Sequence, residues 1–99
     1  MNKTDKPIAN PIVVLREESD DWAILFNPDT ADAIVVNPVG VAVWRMMDGK
    51  KHFKEIVLEI RSCFENASGA IFEEIFSFIE KLAERGYVGY EFDGRATEG

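Results

Sequence analysis

The 99-residue chain has few side chains suited to nucleophilic or metal chemistry: one histidine, His52, and one cysteine, Cys63. A structural zinc ion takes four ligands, so these two residues alone cannot hold one. Cys63 lies near the apolar face of a helical pattern, and we expect an inert thiol in the core. His52 lies in the turn before that helix, where we expect it to be solvated. The sequence therefore predicts no metal site and no cofactor.

Acid–base and phosphate chemistry are equally poorly supported. The paired carboxylates, Glu17–Glu18, Asp20–Asp21 and Glu73–Glu74, are adjacent in sequence, and adjacent residues do not face a common site on a helix. Gly40 and Gly49 do not form either of the glycine-rich spacings that bind phosphates. The prediction is a protein that is not an enzyme.

Net charge and composition restrict the possible partners. The formal charge of −7 repels phosphate backbones and anionic membranes, so nucleic acids and membranes are not expected partners. The single cysteine, with neither a signal segment nor a long apolar run, predicts a cytoplasmic protein. We expect one domain over residues 1–99, with a core at about 12–92 and loose termini at 1–7 and 93–99.

The first third of the chain has the pattern of three short strands. The runs 12–15, 22–26 and 33–36 are rich in valine and isoleucine, and the turn sequences EESDD and NPDT separate them. Short β-branched runs divided by turn residues are typical of an antiparallel meander.

The pattern then changes to three helices. Asn37 can cap the first helix, Pro38 suits its first position, and Gly49 is expected to end it in a left-handed conformation. A second helix is predicted over 53–64 and a third over 70–85, followed by a short extended segment at 87–92. This order predicts an α+β fold, βββααα, similar to a winged helix-turn-helix.

Two elements contain more apolar residues than a simple core requires. The third helix extends its apolar face with Phe72, Phe76 and Ile79, so it either packs on two sides or borders a groove. The third strand, 33–36, is apolar on both faces and lacks the Lys or Pro that usually protects an edge. It is either a central strand or an edge that can pair with another chain.

The order of these elements resembles the PqqD-like family, which includes the peptide chaperone of pyrroloquinoline quinone biosynthesis and the RiPP recognition elements. The resemblance covers about Ile12–Val88 and is most specific over 37–49. His52 departs from the Thr or Ser usual at its position, and the first helix is closer to the broad family than to the quinone-pathway chaperone. The matching segments are NPDTADAIVVN, NPVGVAVWRMMDG, HFKEIVLEI and FIEKLAERGYV.

The resemblance implies a non-catalytic chaperone that binds the leader of a ribosomally made precursor peptide. The leader would add as a strand beside the third strand, pack against the third helix and be presented to a modifying enzyme, often a radical S-adenosylmethionine (SAM) enzyme. Carried onto this chain, the implied peptide-binding residues are Ala33, Ile34, Val35, Val36, Phe72, Phe76 and Ile79.

Two other functions are left open by the residues. A winged-helix DNA-binding regulator is disfavoured because the third helix has four glutamates against one lysine and one arginine. A docking subunit of an enzyme complex is the other alternative. The sequence does not fix the precursor peptide, the modified product or the oligomeric state.

Overall fold

The computed structural model of the protein describes residues 5–64 and 69–91. Five strands and three helices follow one another along these residues. In chain order they are β1 (Lys6–Ala9), β2 (Val14–Glu17), β3 (Ala23–Asn27), β4 (Asp32–Val36), α1 (Pro38–Met46), α2 (Phe53–Cys63), α3 (Ile71–Glu84) and β5 (Val88–Glu91).

The predicted meander is present as an antiparallel sheet in the order β2-β3-β4. Ala23, Leu25 and Val36 are buried, and they anchor one face of the sheet on the core. The turn between β3 and β4 begins at Asn27, whose carbonyl accepts the N–H of Thr30 at 3.3 Å. With three helices after this sheet, the predicted α+β class is confirmed.

A second, two-stranded sheet was not predicted. β1 pairs antiparallel with β5, and Pro7 within β1 is fully buried, so the predicted loose segment 1–7 is wrong for residues 6 and 7; residues 1–4 lie outside the described residues. The four residues of β1 lack an alternating pattern, and their partner strand lies about 80 positions away, so no local signal identifies them. The predicted loose segment 93–99 lies outside the described residues.

The predicted start of α1 is confirmed, but its predicted end is wrong. The Asn37 side chain accepts the N–H of Gly40 at 2.8 Å, and Pro38 occupies the first helical position. The helix ends at Met46, whereas Gly49 lies three residues further on with φ +80°. The Gly49 N–H donates to the carbonyl of Pro7 at 3.1 Å, so its left-handed conformation connects α1 to β1.

The core lies between the inner face of the sheet and the helices. α2 buries the positions 53, 56, 57 and 60, and α3 buries 71, 75, 79 and 82. Cys63 is exposed, so its assignment to the core was wrong. It is the last residue of α2 and lies about 70° from the centre of the buried face. His52 is half-buried at the N-cap of α2, where its backbone N–H donates to Glu55 Oε1 at 2.7 Å.

Candidate functional site

β4 forms one edge of the three-stranded sheet. It pairs with β3 on one side, and among residues 5–64 and 69–91 no strand pairs with its other side. Val35 is 69% exposed and Ala33 is exposed, whereas Ile34 is half-buried and Val36 is buried. The outer edge of β4 is therefore apolar in its side chains, with main-chain groups available to a further strand.

The opposite edge, β2, has a different character. Arg16 pairs with Glu18 at 3.0 Å, and Glu17 pairs with Arg45 of α1. Charged side chains on an edge discourage strand addition, and β4 has only Asp32 at its start. Of the two edges, β4 is the one suited to pairing with another chain.

α3 runs alongside β4 in the opposite direction. At one end, Asp32 forms an ion pair with Arg85 at 2.5 Å and accepts the hydroxyl hydrogen of Tyr87 at 3.3 Å. At the other end, Val35 and Val36 line a cavity together with residues of the first half of α3, and the buried side chain of Val36 is the one on the inner face of the sheet. The ion pair therefore fixes one end of a trough whose two walls are a strand and a helix.

The cavity in this trough has a volume of about 230 Å³, and we call it the β4–α3 groove. Gly40 lies at its base, where an added Cβ would be 3.1 Å from Val36 Cβ and 3.4 Å from Phe78 Cζ. Glycine thus allows α1 to approach both walls closely. The groove is lined by Val35 and Val36 of β4, by Asn37, by Val39, Gly40 and Val43 of α1, and by Ile71, Glu74, Ile75 and Phe78 of α3.

The structure places the predicted α3 residues elsewhere. The rings of Phe72 and Phe76 make edge contacts with Phe53 of α2, with centroids 5.0 and 5.5 Å apart, and Ile79 is fully buried. At 100° per residue, the two phenylalanines lie about 130° around α3 from the groove residues. None of the three lines the cavity beside 33–36, although Ile79 shares the buried core with Val36. Their peptide-binding role stays a prediction that their positions do not favour.

The α3 residues that do face β4 were missed as site residues. Ile71, Ile75 and Phe78 have the spacing i, i+4, i+7, which is also the spacing of residues that a helix packs against a core. The signal was present, but the periodicity of a helix cannot show which neighbour lies on each side.

The shifted pKa values of the site belong to groups at the end of the trough that is marked by the Asp32–Arg85 ion pair. The hydrogen bond from the Arg85 guanidinium lowers the pKa of Asp32 below its ordinary value. Burial, followed by the charge of Asp32, raises the pKa of Tyr87.

Within the described part of the chain, no cluster of three or more His, Cys, Asp or Glu side chains has the geometry to hold a metal ion. The arrangement is suited to binding an extended chain.

Comparison with known proteins identifies the family. The model of the family described as coenzyme PQQ synthesis protein D (PqqD) matches residues 23–88, which include every residue that lines the groove. The chain belongs to the PqqD family. The resemblance inferred from the sequence is thereby confirmed, and the PqqD match runs from β3 to the start of β5.

A solved structure shares the fold. The structure titled "TbiB1 in Complex with the TbiA(beta) Leader Peptide" superimposes with a TM-score of 0.67 and 21% sequence identity, covering 87% of this PqqD-family chain and 99% of that chain. A search of curated proteins gave no match. None of the described helices is long and apolar enough to cross a membrane.

Proposed function

We propose that this PqqD-family protein is a non-catalytic peptide chaperone, which binds the leader of a ribosomally synthesised precursor peptide and presents it to a modifying enzyme. The observation that carries the proposal is the open apolar edge of β4 beside the β4–α3 groove. The family and the leader peptide named with TbiB1 support the same class of ligand.

The binding mode follows from the geometry of an added strand. A leader that pairs with β4 gains main-chain hydrogen bonds, and its side chains alternate between the two faces of the sheet. One set would enter the groove towards Ile75 and Phe78, and the other would lie beside Ala33 and Val35 on the exposed face. Apolar leader residues at alternate positions therefore suit this site.

The groove wall would be formed by the open side of α3. Ile71, Ile75 and Phe78 would contact the leader, and Phe72 and Phe76 would act indirectly by fixing α3 against α2. Ordering a flexible leader opposes binding by about 2–5 kcal/mol, so we expect a dissociation constant of roughly 1 μM.

The partner and location belong to the same proposal. A chaperone without catalysis of its own needs an enzyme to receive the peptide, and a radical SAM enzyme is the candidate that the sequence resemblance suggested. The chain would act in the cytoplasm, where precursor peptides are made.

The first experiment uses a selected ligand. A displayed library of random peptides is enriched on the protein, and the best binder is titrated into 15N-labelled protein while amide shifts are recorded. We expect the largest shifts at 33–36 and on the side of α3 that contains Ile71, Ile75 and Phe78. Shifts confined to other elements, or no recovered binder, would contradict the proposal.

A pair of proline variants tests strand addition directly. Neighbouring residues of an antiparallel strand direct their N–H groups to opposite sides, so of Ile34 and Val35 one bonds β3 and the other faces outward. Of Ile34→Pro and Val35→Pro, the variant that keeps a near-native Tm identifies the outward amide, and it should lose peptide binding. Glu17→Pro on β2 is the control and should bind normally, because the neighbouring Glu18 N–H donates to the Trp22 carbonyl and the Glu17 amide therefore faces outward. Undiminished binding in both folded β4 variants would exclude strand addition.

DNA binding is tested with the same preparation. A random duplex at low salt should show no retardation, because the described residues of α3 expose Glu73 and Glu84 and the whole chain is acidic. Retardation that salt abolishes would favour the regulator.

A further inference from the structure

One residue of the groove does not fit an apolar binding site. Glu74 is the only ionisable side chain among the ten residues that line it. It is exposed, and within residues 5–64 and 69–91 it forms no ion pair. A carboxylate at the wall of an apolar cavity is therefore available to a ligand.

Glu74 can stabilise the start of α3 by its negative charge, and Glu73 can do the same. Glu73 and Glu74 both lie near the start of α3, where negative charge is favourable to the helix dipole. Glu73 points about 100° away from Glu74 around the helix and does not line the groove. The helix start thus accounts for acidic residues here, but not for the placement of one of them beside Ile71, Ile75 and Phe78.

We infer that the groove selects leader peptides in which a lysine or arginine lies two positions from the apolar residue that enters the cavity. This inference rests on the proposed function. Side chains two positions apart in a strand lie on the same face, about 6.6 Å apart. A long basic side chain beside the apolar one can therefore reach Glu74 while the leader stays paired with β4.

The charge of the whole protein acts in the same direction. With 18 acidic and 11 basic residues, the chain attracts a basic peptide before contact is made. At the other end of the trough Asp32 is paired with Arg85, whereas Glu74 has no ion-pair partner among residues 5–64 and 69–91 and can pair with a basic residue of the leader. Binding should weaken as salt screens this attraction.

The experiment compares selections on three proteins: the unchanged chain, Glu74→Gln and Glu73→Gln. A displayed library of random 12-residue peptides is enriched on each at the same salt concentration. We expect the unchanged chain and Glu73→Gln to enrich Lys or Arg two positions from an apolar residue, and Glu74→Gln to lose this preference. The best peptide should bind Glu74→Gln about two- to five-fold more weakly, and Glu73→Gln unchanged.

A charge reversal gives a second readout. Glu74→Lys should enrich Asp or Glu at the position where the unchanged chain enriches Lys or Arg. Because both glutamates lie near the start of the helix, thermal unfolding of Glu73→Gln and Glu74→Gln should be closely matched, which separates recognition from folding.

The outcomes separate the inference from the proposed function. Peptides that shift the amides of 33–36 but show no basic preference, or the same preference on Glu74→Gln, would overturn the inference and leave peptide binding intact. Failure to select any peptide for the unchanged chain would overturn both.

Discussion

The two sides of α3 are both apolar, yet they are built differently. On the closed side, the half-buried rings of Phe72 and Phe76 pack edge-on against the fully buried ring of Phe53. On the open side, Ile75 and Phe78 face β4 across a cavity of about 230 Å³. The same helix therefore fixes its own position with one side and leaves the other available.

This contrast shows how a small domain can keep an unfilled groove without losing its fold. On the groove side Ile71 and Ile75 are themselves buried, and the Phe53 contacts and the Asp32–Arg85 ion pair restrain the helix at separate points. Substitutions on the closed side should change mainly the free energy of unfolding. On the open side, substitution of the half-buried Phe78 should change mainly peptide affinity.

The largest effect is expected on the closed side. Phe53→Ala removes the ring that both α3 phenylalanines contact, and it should lower the free energy of unfolding by about 3–5 kcal/mol. Leu58→Ala, on the same helix but at a side chain that is 55% exposed, should change it by less than about 0.5 kcal/mol. Urea denaturation measures both, and similar values for the two variants would contradict the described packing.

A paired substitution on α3 tests the contrast within one helix. Phe78→Ala should weaken binding of a selected peptide about tenfold, or 1.4 kcal/mol, because the ring lines the groove. Phe72→Ala should lower the Tm instead and leave affinity within about twofold where the protein is folded. Isothermal titration and thermal melts distinguish the two. The reverse pattern would restore the assignment of the groove to Phe72.

The base of the groove offers a smaller test. Gly40→Ala places a methyl group 3.1 Å from Val36 Cβ and 3.4 Å from Phe78 Cζ, which narrows the cavity. Affinity should fall by less than in Phe78→Ala, and stability should stay within about 1 kcal/mol because alanine favours a helix interior. Gly89→Ala, where the nearest side-chain atom is 3.9 Å away, is the control. Unchanged affinity in Gly40→Ala would show that the peptide does not enter the cavity at this point.

The sequence predicts the elements best where the signal is local. The Asn37 cap and the short β-branched runs depend on residues a few positions apart, and the structure has both, although the first of the three strands begins at Val14 and not at Ile12. β1 depends on pairing with β5, about 80 positions away, so no local pattern predicts it.

The candidate site was predictable in part for the same reason. The apolar character of both faces of β4 can be read along four residues, and the structure places this strand at an edge. The division of α3 could not be read in this way. Its apolar arc is continuous around the helix, and only the positions of α2 and β4 determine that Phe72 packs against Phe53 and that Phe78 lines the groove.

The smallest effect concerns the ion pair at the end of the groove, and it depends on pH. Because the Arg85 guanidinium lowers the pKa of Asp32, this carboxylate contributes to stability above its ordinary pKa of 3.8. The contribution is lost as the pH falls through the lower value of the folded state. Asp32→Asn should therefore lower the Tm at pH 7 and differ progressively less from the unchanged chain as the pH falls below 3.8. Since Arg85→Gln removes the same interaction, the double variant should lose little more than either single one. If the Tm difference between Asp32→Asn and the unchanged chain is the same at pH 7 and below pH 3.8, the charge of Asp32 does not hold β4 to α3.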